Sequence, residues 1–250
     1  MPPAEVYREL VNLVQTAPKP ERQDHLAPSR SGQRRALAPA VAWGWLIRTL
    51  RTGEAVIAME DRGYGSEASP LVRAALEHAI RLQWAAEYGD EFVEVALIAQ
   101  KKSYTNLQKA QTENWRFSAE LADSLQQHAA EASEDYASLS NLTALRAIVD
   151  ANKERLGSLY MAWLMDTQES HPSLLTARHY FETYESHHGY KLHNQSRFKS
   201  AAVLKACYAL VGAIDGYAKV VGLSTYFDAP LTRIIQHLVD PEGPPTKHQP

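Results

Sequence analysis

Apolar side chains recur at intervals of three and four residues through most of the chain, and this helical spacing restricts its fold more than any other feature. Runs of alternating apolar and polar residues do not stand out, and the punctuation typical of strands and turns is missing. We therefore predict an all-α protein with a single helical-bundle domain of roughly seven to nine helices. Its predicted parts are an N-terminal helix (1–17), a polar linker (18–35), the helical bundle (36–240) and a disordered tail (241–250).

Glycine residues mark the ends of two strongly apolar helices. The first is predicted over residues 71–88 and stops at Gly89, and the second is predicted over 197–222 and ends at Gly222. We expect the second to be a central core helix in which Cys207 is buried. Further helices are predicted over 90–132, 142–149, 154–166, 173–187 and 231–239, with a loop over 133–141.

Composition and charge exclude a disordered chain, a collagen-like chain and a disulfide scaffold. Hydrophobic residues make up 45% of the chain and charged residues 22%, as in soluble globular proteins. The formal net charge of −3 gives no overall attraction to nucleic acid, so RNA binding would need a local patch. A single cysteine excludes an internal disulfide and fits a reducing compartment. Because the longest apolar run, 36–47, is too short to span a bilayer, we expect a cytoplasmic protein with no membrane contact.

Arg73 and Glu77 are the first candidate functional residues. They lie one helical turn apart on a face that Ile80 and Trp84 continue, so we predict an ion pair that is more than half buried. Arg73 and His78 also have the Arg-x4–6-His spacing of HEPN ribonucleases, in which the two residues act on an RNA phosphate. A purely structural ion pair is the alternative interpretation.

Histidines are concentrated in one short segment near acidic and aromatic residues. One Glu-x-x-His, from Glu185 to His188, has the spacing that di-iron bundles use twice, and a second is missing. A polar helix end, a functional site without metal, and a metal site are all consistent with this pattern. The five histidines within these 23 residues are His171, His179, His187, His188 and His193.

The chain resembles the DUF5677 family of bacterial helical proteins over roughly residues 40–200. The family pattern has an arginine and a glutamate one turn apart, then aromatics, and later a Tyr…Ser…His segment to which Tyr180–His188 is similar. The resemblance implies a helical layout like that of HEPN-like and abortive-infection proteins, and hence phage defence or RNA cleavage. The matching runs are WLIR (45–48), GEA (53–55), SPLVRAALEH (69–78) and Trp84.

Three functions are therefore kept open. The first is a HEPN-like, metal-independent endoribonuclease or toxin in phage defence or stress response. It would bind RNA or a partner protein and could form a homodimer. The second is a non-enzymatic helical module that binds a protein or a small ligand. The third is a metal-dependent helical-bundle oxidase, and the sequence does not identify a cofactor. For the first function, the predicted catalytic residues are Arg73, Glu77, His78, Tyr180 and His188.

Tyr180 and His188 are eight residues apart, so a continuous helix would place them on nearly one face. We expect that face to lie against the helix that carries Arg73 and Glu77. All four side chains would then converge on one polar pocket inside an otherwise apolar bundle.

Overall fold

A computed structural model of the protein describes residues 1–20, 30–111, 115–130, 134–184 and 189–239. Within these ranges the chain is almost entirely helical, which confirms the predicted all-α bundle. Three short 3-10 helices (Ser66–Ala68, Gly89–Glu91 and Glu134–Thr143) connect longer elements. The α-helices are α1 (Pro3–Thr16), α2 (Arg30–Glu60), α3 (Ser69–Tyr88), α4 (Phe92–Lys109), α5 (Ala119–Ala130), α6 (Leu145–Leu156), α7 (Ser158–Glu169), α8 (Leu174–Ala177), α9 (Ala202–Val221) and α10 (Ser224–Val239).

Helices α3 and α9 cross at the centre of the bundle, and α2 packs against both of them. Their approach is very close, because a Cβ atom added at Gly216 of α9 would lie 2.6 Å from the backbone carbonyl carbon of Leu82 in α3. Helices α1 and α10 then cover α9, and α7 covers α3. The prediction that α9 is a core helix is confirmed, since Cys207, Leu210 and Ile214 are completely buried.

Two of the predicted helices are divided in the structure. Gly157 has a φ of +47° and separates α6 from α7, so the helix predicted over 154–166 is wrong as a single element. The helix predicted over 90–132 is likewise two helices, α4 and α5. The hydroxyl of Ser118 accepts a hydrogen bond from the backbone N–H of Leu121 at 3.3 Å, which caps α5 and starts it as a separate helix.

The helix predicted over 173–187 is also wrong. Within residues 173–184 the only helix is the single turn α8, and two strands, β1 (Phe181–Thr183) and β2 (Tyr190–Leu192), pair antiparallel as a hairpin. Aromatic and β-branched residues in this segment favour strand over helix. The hairpin is also anchored from outside, because the guanidinium of Arg197 donates to the carbonyl of Phe181 at 2.8 Å. Strand β1 therefore interrupts the continuous helix that was predicted to carry Tyr180 and His188, and His188 itself lies outside the described residues.

The ends of the predicted linker and tail fall partly outside the described residues. Helix α2 begins at Arg30, so the last part of the predicted linker 18–35 is helical. Residues 21–29 and the predicted tail 241–250 lie outside the described part of the chain. No helix in that described part is long and apolar enough to cross a membrane.

Candidate functional site

Arg73 and Glu77 form the predicted ion pair on α3. The Nε atom of Arg73 lies 3.0 Å from Oε1 of Glu77, and the two side chains are 24% and 35% exposed. Trp163 of α7 covers the pair, since its indole N–H points to Glu77 Oε1 at 3.5 Å and the Arg73 guanidinium lies 5.9 Å from its ring centroid. Glu77 and Trp163 thus hold the guanidinium in one orientation, and the predicted burial of the pair is confirmed.

His171 is the third partner of Arg73. Its Nε2 atom lies 2.8 Å from Nη1 of Arg73, and its ring is exposed in the turn between α7 and α8. A guanidinium group can only donate hydrogen bonds, so Nε2 accepts here and the ring proton is assigned to Nδ1. The structure therefore places a fixed cation beside a neutral imidazole at the protein surface.

His78 does not join Arg73. They are five positions apart, which is about 140° around the helix axis. The Nδ1 atom of His78 lies 2.7 Å from the carbonyl oxygen of Ala74 in its own helix. Burial lowers the pKa of His78, and the positive charges of Arg48 and Arg81 lower it further. The spacing that suggested a joint role for Arg73 and His78 does not bring the two side chains together.

A buried charge cluster lies beneath the end of α7. Lys205 of α9 donates to Oδ1 of Asp166 at 2.6 Å and to Oε2 of Glu169 at 2.8 Å. Asp166 is 1% exposed, and its second oxygen is buried with no hydrogen-bond partner among the described residues. Burial raises the pKa of Asp166 to about 6, although Lys205 opposes this shift. Two carboxylates share one ammonium, so Lys205 keeps its proton while Asp166 is poised to gain one.

Two serines connect this cluster to α3. The hydroxyls of Ser69, the first residue of α3, and Ser170 lie 3.2 Å apart. Ser170 also donates to the backbone carbonyl of Asp166 at 2.6 Å. The start of α3 is therefore linked to the end of α7 by two successive hydrogen bonds, from Ser69 to Ser170 and from Ser170 to Asp166.

Tyr180 contacts the turn that precedes α3. Its hydroxyl donates to Glu67 in the turn before α3, and this hydrogen bond raises the pKa of Tyr180 to about 12. Beside it, Nδ1 of His179 lies 3.1 Å from the hydroxyl of Ser196 and 3.3 Å from that of Ser66. Among the described residues, Tyr180 thus contacts a neighbour of α3 rather than Arg73 or Glu77.

The sequence model of DUF5677, a family of unknown function, matches residues 40–189. The match covers more than half of the chain. The chain belongs to the DUF5677 family. No curated protein and no solved structure matches it. In this DUF5677 protein the matched range includes α3 and α7, so it contains Arg73, Glu77, Trp163 and His171.

The structure describes three of the four residues of the DUF5677 chain that were predicted to converge on one pocket. Arg73 and Glu77 are together, Tyr180 lies near the start of the same helix, and His188 lies outside the described residues. The Glu-x-x-His at 185–188 also lies outside them. Across the described ranges, no group of three or more histidine, cysteine, aspartate or glutamate side chains could hold a metal ion.

Sequence reasoning placed His171 in the histidine cluster of the DUF5677 chain but did not pair it with Arg73. The two residues are 98 positions apart, so no local periodicity relates them. The cluster of Lys205, Asp166 and Glu169 was missed altogether. One signal was present in the sequence, since Lys205 lies among apolar residues in the first half of α9 and a lysine at such a position needs a buried partner.

Proposed function

We propose that this DUF5677 protein is a metal-independent endoribonuclease in which Arg73 binds the scissile phosphate and His171 acts as general base. The observation that carries the proposal is the 2.8 Å contact between Nη1 of Arg73 and Nε2 of the exposed His171. Transfer of a phosphoryl group needs a proton acceptor for the nucleophile and a cation for the charge that develops on the phosphate. Arg73 and His171 supply these two groups within one hydrogen bond of each other.

The reaction uses the ribose of the substrate as nucleophile. His171 takes the proton from the 2′-hydroxyl, and the 2′-oxygen forms a bond to the adjacent phosphorus. The bond from phosphorus to the 5′-oxygen breaks, and water protonates the leaving oxygen. The products are a 2′,3′-cyclic phosphate and a 5′-hydroxyl end. Phosphate oxygens between the two side chains would accept charge-assisted hydrogen bonds from Arg73 in place of its contact with His171.

Glu77 has a positioning role in this proposal, because it accepts a hydrogen bond from Nε of the Arg73 guanidinium while His171 contacts Nη1. His78 has a structural role, since it is mostly buried and hydrogen-bonded within α3. Tyr180 contacts Glu67, in the turn before the helix that carries Arg73. The participation of His188 stays a prediction.

The test is a cleavage assay on labelled single-stranded RNA in the presence of EDTA. We expect the wild-type protein to cleave and His171→Ala to lose activity by at least about a hundredfold, which is the usual contribution of a general base. His237→Ala, at an exposed position of α10, is the matched control and should cleave like the wild type. An inactive wild-type protein, or a fully active His171→Ala variant, would overturn the proposal.

A non-enzymatic binding module is the second candidate function. The observation that favours it is that Glu77, His171 and Trp163 already surround the Arg73 guanidinium, as they would around a structural arginine. Wild-type protein without cleavage activity, together with a marked loss of stability in Arg73→Ala, would support this alternative.

A role as a toxin in phage defence or stress response would follow from RNA cleavage in the cytoplasm. Expression of the wild-type chain in a bacterial host should then arrest growth, whereas expression of His171→Ala at the same level should not. A partner protein that suppresses cleavage and a homodimer are further proposals. Co-expression of a suppressing partner protein would restore growth of the host, and a homodimer would show twice the mass of one chain in light scattering.

A further inference from the structure

A cleft of about 450 Å³ lies between α8, the hairpin and the segment that leads to α9. We call it the hairpin cleft. Its volume is within the range of small-molecule and nucleotide sites. Leu174 of its lining follows His171 by three residues, so a short stretch of chain connects the cleft to one member of the proposed catalytic pair. The residues of its lining that matter here are Leu174, Arg178, Phe181, Glu182, Arg197 and Phe198.

Flat and apolar groups on the walls of the hairpin cleft are exposed. Phe198 is 54% exposed and Leu174 is 62% exposed. The guanidinium of Arg197 lies 5.8 Å from the ring centroid of Phe198. It is held there by Glu182 Oε2 at 2.8 Å and by the carbonyl of Phe181 at 2.8 Å. An exposed aromatic ring beside a fixed guanidinium plane is a stacking surface for an unpaired base.

Glu182 gives the cleft a second, directional feature. Its Oε2 atom accepts from Arg197, and its Oε1 atom lies 3.2 Å from His193 Nε2 and 3.6 Å from Lys191 Nζ. Each carboxylate oxygen has two lone pairs, so the group can accept further hydrogen bonds while these neighbours fix its orientation. A fixed carboxylate is complementary to two parallel N–H donors.

Guanine is the RNA base that offers this arrangement. Its N1–H and N2–H donors are adjacent on the Watson–Crick edge. Adenine and cytosine present one amino group beside an acceptor, and uracil presents a single N–H between two acceptors. The carboxylate of Glu182 would therefore pair with two donors only on guanine.

We infer that the hairpin cleft is a subsite for a guanine base of single-stranded RNA. The base stacks on Phe198 and Arg197 and is read by Glu182. Arg178 is exposed, and its side chain has no partner among the described residues, so it binds the phosphate of the same nucleotide. This inference rests on the proposed endoribonuclease function and deepens it by naming the base beside which the chain is cut.

The test measures binding separately from cleavage. Pentanucleotides UUGUU, UUAUU, UUCUU and UUUUU, made uncleavable by 2′-O-methyl groups, are titrated with the full-length protein and followed by fluorescence anisotropy. We expect UUGUU to bind at least about tenfold more tightly than the other three. Glu182→Gln should remove this preference. Arg178→Ala should weaken binding of all four and leave the preference unchanged, and Glu154→Gln, an exposed position of α6, should behave like the wild type.

Equal affinity for the four pentanucleotides, or no binding of any, would overturn the inference. Cleavage of unmodified RNA without preference for guanosine would overturn it too and would leave the endoribonuclease standing. Guanine-selective binding by a protein that does not cleave RNA would instead support the subsite and overturn the proposed function. Because the Arg178 side chain makes no hydrogen bond or ion pair within the described residues, Arg178→Ala gives an answer even if Glu182→Gln destabilises the hairpin.

Discussion

Replacing Lys205 with methionine removes the cation that Asp166 and Glu169 share at the end of α7. Lys205 and Asp166 are 11% and 1% exposed, so water cannot replace the lost contact. Removing one partner of a buried ion pair typically lowers the free energy of unfolding by about 3–5 kcal/mol. We expect Lys205→Met to lose an amount in that range at neutral pH.

The loss should also depend on pH, with a sign that follows from Asp166. Its pKa in the folded protein is about 6, above its ordinary value of 3.8. The folded chain therefore binds an extra proton between these values, and wild-type stability falls as pH rises through this window and levels off above it. Without Lys205 the pKa of Asp166 rises further, so the fall continues at about 1.4 kcal/mol per pH unit. Between pH 6 and pH 8 the difference between variant and wild type should grow by up to about 3 kcal/mol.

Urea denaturation at a series of pH values, followed by the helical circular dichroism signal, measures both quantities. Lys219→Met is the matched control, because Lys219 lies on the same helix and pairs with Asp215 at 2.7 Å but is 50% exposed. That control should lose less than about 1 kcal/mol at any pH. A loss of the same small size for Lys205→Met, or a larger loss that is identical at pH 6 and pH 8, would refute the reasoning.

Three further outcomes are expected. Gly216→Ala should lower the free energy of unfolding by about 2–3 kcal/mol or prevent folding, because the added Cβ meets the backbone of α3. Gly44→Ala places its Cβ in open space and should raise the free energy of unfolding by up to about 1 kcal/mol. Thermal denaturation distinguishes the two variants. Glu77→Ala should lose about 1–3 kcal/mol in urea titrations, less than Lys205→Met because the Glu77 side chain is 35% exposed, and an unchanged midpoint would contradict this. Burial raises the pKa of Cys207 to about 12, so native protein at pH 8 should react slowly with a thiol reagent. Rapid labelling would show that the core around α9 is accessible to solvent.

The parts of the fold that could be predicted depend on local information. Helix α3 ends at Gly89 and α9 ends at Gly222, where the chain adopts φ values of +71° and +72° that favour glycine. The pair of Arg73 and Glu77 was predictable for a similar reason, because residues four apart on a helix are neighbours. In each case the sequence within one or two turns contains the cause of the structure.

The parts that could not be predicted depend on distant residues. The hairpin strands have three residues each, too few for a visible alternation, and their anchor at Arg197 comes from beyond the hairpin. His171 reaches Arg73 only because α7 packs on α3. Lys205 finds Asp166 only because α9 packs against the end of α7. These contacts follow from the packing of the bundle, which helical periodicity alone does not specify.

The central position of α9 has a consequence for the synthesis of the protein. Gln83 of α3 donates to the carbonyl of Gly212 of α9, and 129 residues separate the two. At about 5–20 residues per second, α3 is synthesised roughly 6–26 seconds before its main packing partner. The faces of α1, α2 and α3 that pack against α9 stay uncovered during that interval and are open to chaperones or to other nascent chains. A chain that terminates before residue 202 therefore cannot close this core, and such truncated products should aggregate rather than persist as a smaller folded domain.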